Sequence, residues 1–361
     1  MNPSQIVRAR MRNERLIGAP FERPEDVVSW LGAVQSQDYA GAKWALAQRC
    51  SPGVTNSDVD RLFNEGKILR THVMRPTWHF VAPTDLRWLL KLTAPRVHQV
   101  SAYMRRQLEL DAATFRRGNA ALTKALQGGA HLTREEIGTV FKKARIIASG
   151  PRLAYLVAYA ELEGLICSGP LRGKQHTYAL LEERVPPARP LDYDEALAEL
   201  SRRFFTSHGP AEIPDFAWWS GLTLTEARKG VESVKAQLIR SDVGGREYWS
   251  GAIEKVAPPR KPVVHLLPNY DEFVGSFRDN TVSIAPDVRK KLRTHSEALM
   301  VNIVTSNGRV VGGWRRTASK REIVIATQLL VPLSTQERTA LAEAAKAYGR
   351  FMQLPVTVIE G

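Results

Sequence analysis

The first eighty residues place apolar side chains at helical spacing and then change to a stretch rich in β-branched and aromatic residues. We expect helices to begin near Ser4 and Pro24, and after a cap at Thr55. Residues 68–81 favour two strands with a turn at Pro76. Helices followed by a hairpin are the order of a winged helix, a compact module that commonly binds DNA.

The same order recurs in the next sixty residues. Thr133 and Glu136 form a capping-box pattern before an apolar periodicity, and Pro151 opens a second helix that ends at Gly164. Two apolar strands then flank residues 170–175, which include Arg172 and Lys174. We predict a second winged-helix unit whose wing tip is exposed and basic.

A third echo and a different C-terminal region follow. Residues 195–205 are amphipathic, Thr225 is expected to cap a further helix, and residues 244–250 read as a turn and strand. A Pro-rich linker at 258–262 precedes apolar runs that predict a β-rich domain. Strands are expected at 263–267, 298–304, 309–316, 322–327 and 356–359, with a helix at 335–352.

The pattern as a whole predicts an α+β protein with three tandem winged-helix units followed by a small β-rich C-terminal domain. The chain has 361 residues, of which 43% are apolar, so it is long enough for several cores. The expected boundaries are 1–125, 126–185, 191–257 and 263–361.

Composition also predicts the compartment. No run of about 18 apolar residues occurs, and the start lacks the apolar core of a secretory signal. Cys50 and Cys167 show neither metal-type spacing nor a disulfide framework. We expect a cytoplasmic protein with no membrane association.

The net charge is +14, and most of the excess lies early in the chain. Residues 1–130 contain 19 Lys and Arg against 11 Asp and Glu. Such an excess favours a polyanionic partner, because counterions are released on binding. A general basic bias of the proteome is the alternative explanation.

Gln35 and Gln37 are the most informative candidate residues. They follow an apolar run, near the end of the helix that begins at Pro24 or in the next turn. A glutamine amide is a poor base, but it donates and accepts hydrogen bonds at once and can therefore hold a water molecule. The pair fits hydrolysis of an already activated bond. Alternatively, the two amides only satisfy backbone groups at a helix end.

Two further surfaces contain candidate binding residues. His72, Arg75, Trp78 and His79 lie on the predicted hairpin, where Trp78 either stacks on a base or fills a gap. We expect no metal site here, since no third ligand lies nearby. The wing tip, with Arg172, Lys174 and Gln175, would reach phosphates or a groove, or else is an ordinary solvated turn.

Other polar motifs are assigned structural roles. Asp215 with Trp218 and Trp219 is more typical of a core than of a ligand site. Asp271 and Glu272 are adjacent, and adjacent side chains seldom point at the same substrate atom. We therefore expect local turn and ion-pair roles rather than a catalytic dyad. The sequence contains neither a phosphate-binding Gly-rich loop nor a nucleophile elbow.

Five stretches, taken together, resemble a known family. They are the run from Val34 to Ala45 with its Gln-x-Gln, Arg-Pro-Thr-Trp-His-Phe-Val at 75–81, the stretches at 209–211 and 215–221, Leu-Leu-Pro-Asn-Tyr-Asp-Glu-Phe at 266–273, and Val-Gly-Gly-Trp-Arg-Arg at 311–316. In this order they resemble the AlkZ/YcaQ-like winged-helix DNA glycosylases. Ser36 departs from the pattern, because the middle residue of the motif tends to be apolar in that family.

The resemblance implies a monofunctional DNA glycosylase that removes N7-alkylated purines, some of them bulky or crosslinked, from duplex DNA. It implies a concave basic surface, no cofactor, and Gln35 and Gln37 as the catalytic amides. We expect a monomer, because three units in one chain supply several DNA contacts. The expected DNA contacts are Tyr39, Lys43, Trp44, His72, Arg75, Trp78, His79, Arg172, Lys174 and Gln175.

Two other functions remain open from the residues. A winged-helix transcription regulator without catalysis would share the basic charge and the helix–turn–helix units, although such a protein would usually dimerise on a palindrome. A scaffold that binds drugs or proteins would leave the charge excess unexplained. A base-release assay on methylated DNA separates a glycosylase from both.

Overall fold

The computed structural model describes residues 1–252, 259–294 and 302–360, and it has a mixed α/β fold with a separate β-rich sheet near the C-terminus. The N-terminal segment contains α1 (Pro3–Asn13), α2 (Pro24–Leu31), β1 (Val34–Gln35), α3 (Tyr39–Ala47), α4 (Asn56–Asn64), β2 (Leu69–Val73) and β3 (Arg75–Val81). The three strands form an antiparallel sheet in the order β1-β3-β2.

Two local predictions in this segment are wrong. Asn2, not Ser4, caps α1, because its side chain accepts from Gln5 N while the Gln5 side chain accepts from Asn2 N. The hairpin turns at Met74, which has φ +65°, and Pro76 lies inside β3. Proline is tolerated there because β1 pairs only with the far end of β3, so the ladder needs no N–H on that side.

The predicted second segment follows two helices that the sequence analysis did not predict, α5 (Pro83–Val100) and α6 (Ala102–Gln107). Its sheet has the order β4-β6-β5, which repeats the topology of the first segment. The capping box of Thr133 and Glu136 is confirmed. The elements are α7 (Ala112–Leu126), β4 (Leu132–Thr133), α8 (Arg134–Lys143), α9 (Pro151–Leu162), β5 (Ile166–Ser168), β6 (Thr177–Leu180) and α10 (Leu181–Arg184).

The third segment places three helices before a hairpin, as the second segment does. Its elements are α11 (Tyr193–Ser207), α12 (Ile213–Ser220), α13 (Leu224–Val234), a 3₁₀ turn (Lys235–Gln237), β7 (Ile239–Val243) and β8 (Arg246–Ser250). Ala211 bridges to Trp249 where the other segments have their first short strand. The cap of α13 is Thr223 rather than Thr225, because only Thr223 has a glutamate, Glu226, three residues later to close a capping box.

The C-terminal region is a five-stranded sheet in the order β13-β12-β11-β10-β9. The turn at Asn307 and Gly308 is confirmed, with φ of +49° and +75°. Of the strand predicted at 298–304, residues 298–301 lie outside the described residues. The elements are β9 (Val264–Leu267), α14 (Glu272–Gly275), α15 (Pro286–Thr294), β10 (Ile303–Ser306), β11 (Arg309–Ala318), β12 (Ile323–Leu329), α16 (Thr335–Met352) and β13 (Val356–Glu360).

Buried contacts join the C-terminal sheet to the N-terminal segment. Trp44 packs against Tyr348 in a core that the two regions share. The buried guanidinium of Arg49 donates to both oxygens of Asp271, at 2.9 and 2.8 Å, and to Glu14 at 3.0 Å. This packing brings the turn at residues 268–272 against β1. In the described part of the chain, no helix is long and apolar enough to span a membrane.

Candidate active site on the first strand

Gln35 lies on β1, a two-residue edge strand, and not in a helix end or turn as expected. Gln35 pairs with His79 of β3, and the following residue, Ser36, donates its N–H to the Trp78 carbonyl at 2.8 Å. Ser36 is fully buried, so the middle position of the motif faces the interior even though the residue here is polar. The pairing fixes the direction in which both glutamines leave the backbone.

Arg75 holds the side-chain end of Gln35. Its Nη2 donates to Gln35 Oε1 at 2.9 Å and lies 3.5 Å from His79 Nε2. Because His79 Nδ1 must donate to the Thr77 carbonyl at 3.0 Å, its Nε2 is the acceptor that faces Arg75. Burial, with the adjacent guanidinium of Arg75, lowers the pKa of His79 to about 3, so the imidazole is neutral.

Glu272 holds the backbone end of Gln35. Its Oε1 accepts from Gln35 N at 2.7 Å, across 237 positions of sequence. Burial raises the pKa of Glu272, but the nearby His208, together with hydrogen bonds from Ser276 Oγ and Gln35 N, outweighs burial and brings the pKa to about 2. Gln35 is therefore clamped between a cation at its amide oxygen and an anion at its backbone nitrogen.

Gln37 is exposed, in contrast to Gln35. Its Oε1 accepts from Trp78 N at 3.4 Å, which is a long hydrogen bond. The Trp78 ring is half-buried, with the Arg70 guanidinium 4.4 Å from the ring centroid and the His72 ring at 4.6 Å. The structure thus forms two groups around the motif. Gln35 lies with Arg75 and His79, and Gln37 contacts Trp78, whose ring lies beside Arg70 and His72.

Three residues expected to touch DNA are committed elsewhere. Trp44 is 4% exposed and donates its indole N–H to the Leu266 carbonyl at 2.7 Å, so it belongs to the core. Lys43, also 4% exposed, contacts both oxygens of Asp60 at 2.7 Å. Both side chains are buried and paired inside the protein, which argues against direct DNA contact at these two residues. Tyr39 is half-buried and donates its hydroxyl to Asp60 at 2.8 Å.

The two hairpin histidines have different surroundings. His79 is fully buried, which argues against the expected DNA contact at this residue. His72 is half-buried, with Nδ1 2.5 Å from the buried carboxylate of Glu161 on α9. In the described residues, no group of three or more His, Cys, Asp and Glu could hold a metal ion.

The wing tip of the second segment is exposed, as its sequence predicts. Lys174 and Gln175 are exposed, and the turn passes through Gly173 at φ +63°. Arg172 is also exposed, but it folds back to donate to Glu136 Oε1 at 2.7 Å and to the His131 carbonyl at 2.6 Å. Lys174 is therefore the more accessible cation of the two.

The remaining polar motifs are structural, with one correction. Asp215 is buried, lies 3.7 Å from Arg10 and accepts from Arg278 N at 3.0 Å. Asp271 and Glu272 do face different targets, as expected for adjacent residues. Their roles are local only in part. Asp271 caps α14 by accepting from Phe273 N at 3.0 Å, but Asp271 also binds Arg49 and Glu272 binds Gln35 across more than 200 positions of sequence.

Sequence reasoning missed the acidic partners of the site. Asp60 and Glu161 each satisfy a residue that had been assigned to DNA, and Glu272 satisfies Gln35, which had been assigned to catalysis. Glu272 had one signal that could have identified it, since it lies in a short polar segment flanked by apolar residues, Leu-Leu-Pro-Asn-Tyr-Asp-Glu-Phe-Val. Its partner could not be read from one sequence, because the contact depends on how two distant segments pack.

Comparisons with known proteins agree with this architecture. A sequence model of the family described as DNA glycosylase AlkZ-like matches residues 28–351. The solved structure of the Streptomyces sahachiroi DNA glycosylase AlkZ is similar with a TM-score of 0.82, covering 99% of this chain and 100% of that one at 23% identity. A comparison with curated proteins found no match. The family match spans most of the sequence, including the Gln35–Gln37 motif, and the chain therefore belongs to the AlkZ-like DNA glycosylase family.

Proposed function

We propose that this DNA glycosylase hydrolyses the N-glycosidic bond of N7-alkylated purines in duplex DNA, including bulky or crosslinked adducts. The observation that supports this most directly is the clamped amide of Gln35 beside the exposed amide of Gln37. Alkylation at N7 places a positive charge on guanine, so the base leaves with little acid assistance. The enzyme then needs only to position a water and to tolerate a cationic sugar.

The two amides divide the positioning of that water. Gln35 Oε1 already accepts from Arg75, which fixes the amide plane and directs the remaining donors and acceptor outward. Gln37, one residue further and exposed, meets the water from the solvent side. A water held between two such groups attacks C1′ as the base departs and the sugar acquires oxocarbenium character.

The reaction we propose stops at base release. A lyase step requires an amine nucleophile at the sugar. The lysine that follows the motif in sequence, Lys43, is buried and tied to both oxygens of Asp60. Its ammonium group is therefore not placed for Schiff-base formation, which favours a monofunctional enzyme.

We infer that the three repeated segments are three winged-helix units and that they hold duplex DNA as a monomer. The boundaries are those of the sequence analysis, except that α7 packs with the second unit. Two of the segments share the sheet order in which the first strand pairs with the third, and the third segment has a bridge at the same place. The net charge of +14 favours a nucleic-acid partner, and Lys174 and Gln175 on the wing are exposed to reach it. Free buried thiols at Cys50 and Cys167 fit a cytoplasmic location.

The test is abasic-site formation in a duplex that carries one N7-methylguanine. We expect the wild-type protein to generate abasic sites that alkali converts to strand breaks, and Gln37→Ala to generate them at least about 100-fold more slowly. Both proteins should bind the duplex with similar affinity. A wild-type protein that binds but releases no base would overturn the proposed substrate.

A further inference from the structure

Glu272 lies in the C-terminal region, far in sequence from the glutamine motif, and yet it touches the motif's first residue. We propose that Glu272 is a positioning residue for base release: its buried carboxylate fixes the backbone of Gln35 so that the Gln35 amide stays aligned with the attacking water. The inference rests on the proposed function in one respect, because it takes Gln35 as a water-binding amide.

The carboxylate collects donors from three separate parts of the fold. Its Oε1 accepts from Gln35 N at 2.7 Å, and its Oε2 accepts from Trp219 Nε1 at 2.9 Å and from Ser276 Oγ at 2.6 Å. His208 Nε2 lies 3.6 Å from the same Oε2. Glu272 is 2% exposed, so it does not reach substrate itself and must act through the residues that it holds.

The location of the contact explains why a carboxylate is needed there. β1 is an edge strand, and the next residue after Gln35, Ser36, donates its N–H to the Trp78 carbonyl of β3. The N–H of Gln35 points away from β3, where a further strand would otherwise accept it. Glu272 takes the place of that strand, and a charged acceptor makes a stronger hydrogen bond than a carbonyl does.

Two opposite charges thus act on one residue. Arg75 fixes the side-chain oxygen of Gln35 and Glu272 fixes its backbone nitrogen, so the amide has little freedom to rotate or shift. A displacement of about 1 Å in a positioning group can cost about 100-fold in rate. A loose β1 would therefore slow the chemical step while leaving the DNA-binding surface intact.

Asp271 supplies a matched control in the same turn. It is 3% exposed, close to the burial of Glu272, and it also binds across the molecule. Its target is Arg49 rather than β1. Loss of the Asp271 charge should destabilise the fold, because the buried guanidinium of Arg49 would lose one of its two carboxylate partners and keep only Glu14, but it should not release Gln35.

The experiment compares Glu272→Gln with Asp271→Asn in the full chain. The rate of base release is measured at saturating enzyme on the N7-methylguanine duplex, and affinity is measured on the unmodified duplex. Amide hydrogen exchange is followed in the peptide that contains residues 31–37, without DNA. We expect Glu272→Gln to slow release about tenfold or more, to leave affinity within about threefold, and to speed exchange at Gln35. Asp271→Asn should keep its rate within about threefold although it melts at a lower temperature.

Ser276→Ala tests the same role more gently, since it removes one donor to Glu272 and keeps the charge. We expect about threefold slower release, and this variant decides the matter if Glu272→Gln does not fold. Equal slowing in the Glu272 and Asp271 variants, or unchanged exchange at Gln35, would overturn the positioning role. Because exchange needs no substrate, a wild-type protein that fails to release N7-methylguanine would overturn only the proposed function.

Discussion

Gln35 and Gln37 lie one residue apart in the same motif, and the fold treats them in opposite ways. Gln35 sits in β1 between Arg75 and Glu272, which contact its side chain and backbone at 2.9 and 2.7 Å. Gln37 is exposed and makes one contact of 3.4 Å with Trp78 N. The difference teaches that identical amides can divide a task, with one as a fixed reference and the other as an adaptable contact.

The largest expected effect is a loss of base release when either glutamine is replaced, and a loss of folding stability should distinguish Gln35 from Gln37. Methionine matches the shape of glutamine and removes its hydrogen bonds. Gln35→Met and Gln37→Met should each slow base release about 100-fold, because each loses a contact to the water. Gln35→Met should also lower the free energy of unfolding by about 1–3 kcal/mol, since Arg75 is left with an unsatisfied donor. Denaturant unfolding and single-turnover rates measure both, and equal stability losses at the two positions would contradict the comparison.

The next effect concerns Arg75, which the sequence assigned to DNA and the structure places on Gln35. Arg75→Met should slow base release about 10- to 30-fold by freeing the Gln35 amide, with duplex affinity changed by less than about threefold. Titrations at several salt concentrations provide the check. A large loss of affinity, with a flatter salt dependence than that of wild type, would restore the original assignment of Arg75 to a phosphate.

A smaller effect is expected at the wing. Lys174→Glu should weaken duplex binding about three- to tenfold and reduce the salt slope by about one unit, with base release at saturating enzyme unchanged. Arg172→Glu should also weaken binding, but it removes the contact with Glu136 and so mixes two effects. An unchanged salt slope in both variants would place the wing away from DNA.

The smallest effect is on pH and stability. The pKa of His79 is about 3 in the folded protein, below its ordinary value, so the unfolded chain binds more protons between that value and about pH 6.5. Stability should therefore fall as pH falls. His79 contributes a loss of about 1 kcal/mol between pH 7 and pH 5.5. His79→Gln should flatten this part of the pH dependence in denaturant titrations, and an unaltered slope would show that His79 is not buried neutral.

Local signals predicted much of the fold. The capping box at Thr133, the turn at Asn307 and the helix at 335–352 follow from side chains within four or five positions of each other, and the structure confirms them. The local errors also concern single residues. Thr223 rather than Thr225 caps α13 because Glu226 lies three residues after it, and the hairpin turns at Met74, which has a positive φ, rather than at Pro76.

The site was predicted less completely, because burial is a property of packing. Lys43 and Trp44 lie near the motif in sequence and His79 lies on the predicted hairpin, and their polar or aromatic side chains favour a binding role when only the sequence is known. In the structure the C-terminal sheet covers Trp44, Asp60 neutralises Lys43, and Arg75 lies beside the buried ring of His79. These partners are distant from the motif in sequence and reach it only through the fold.

The most direct test of the central claim compares two duplexes that differ at one damaged guanine, which is cationic in one duplex and neutral in the other. One carries N7-methylguanine, which is cationic, and the other carries 8-oxoguanine, which is neutral. The account predicts that the enzyme releases the cationic base at least about 100-fold faster, and that Gln35→Ala removes most of this rate without changing affinity. Equal release of both bases would contradict the claim that two neutral amides suffice because the lesion has already activated its own bond.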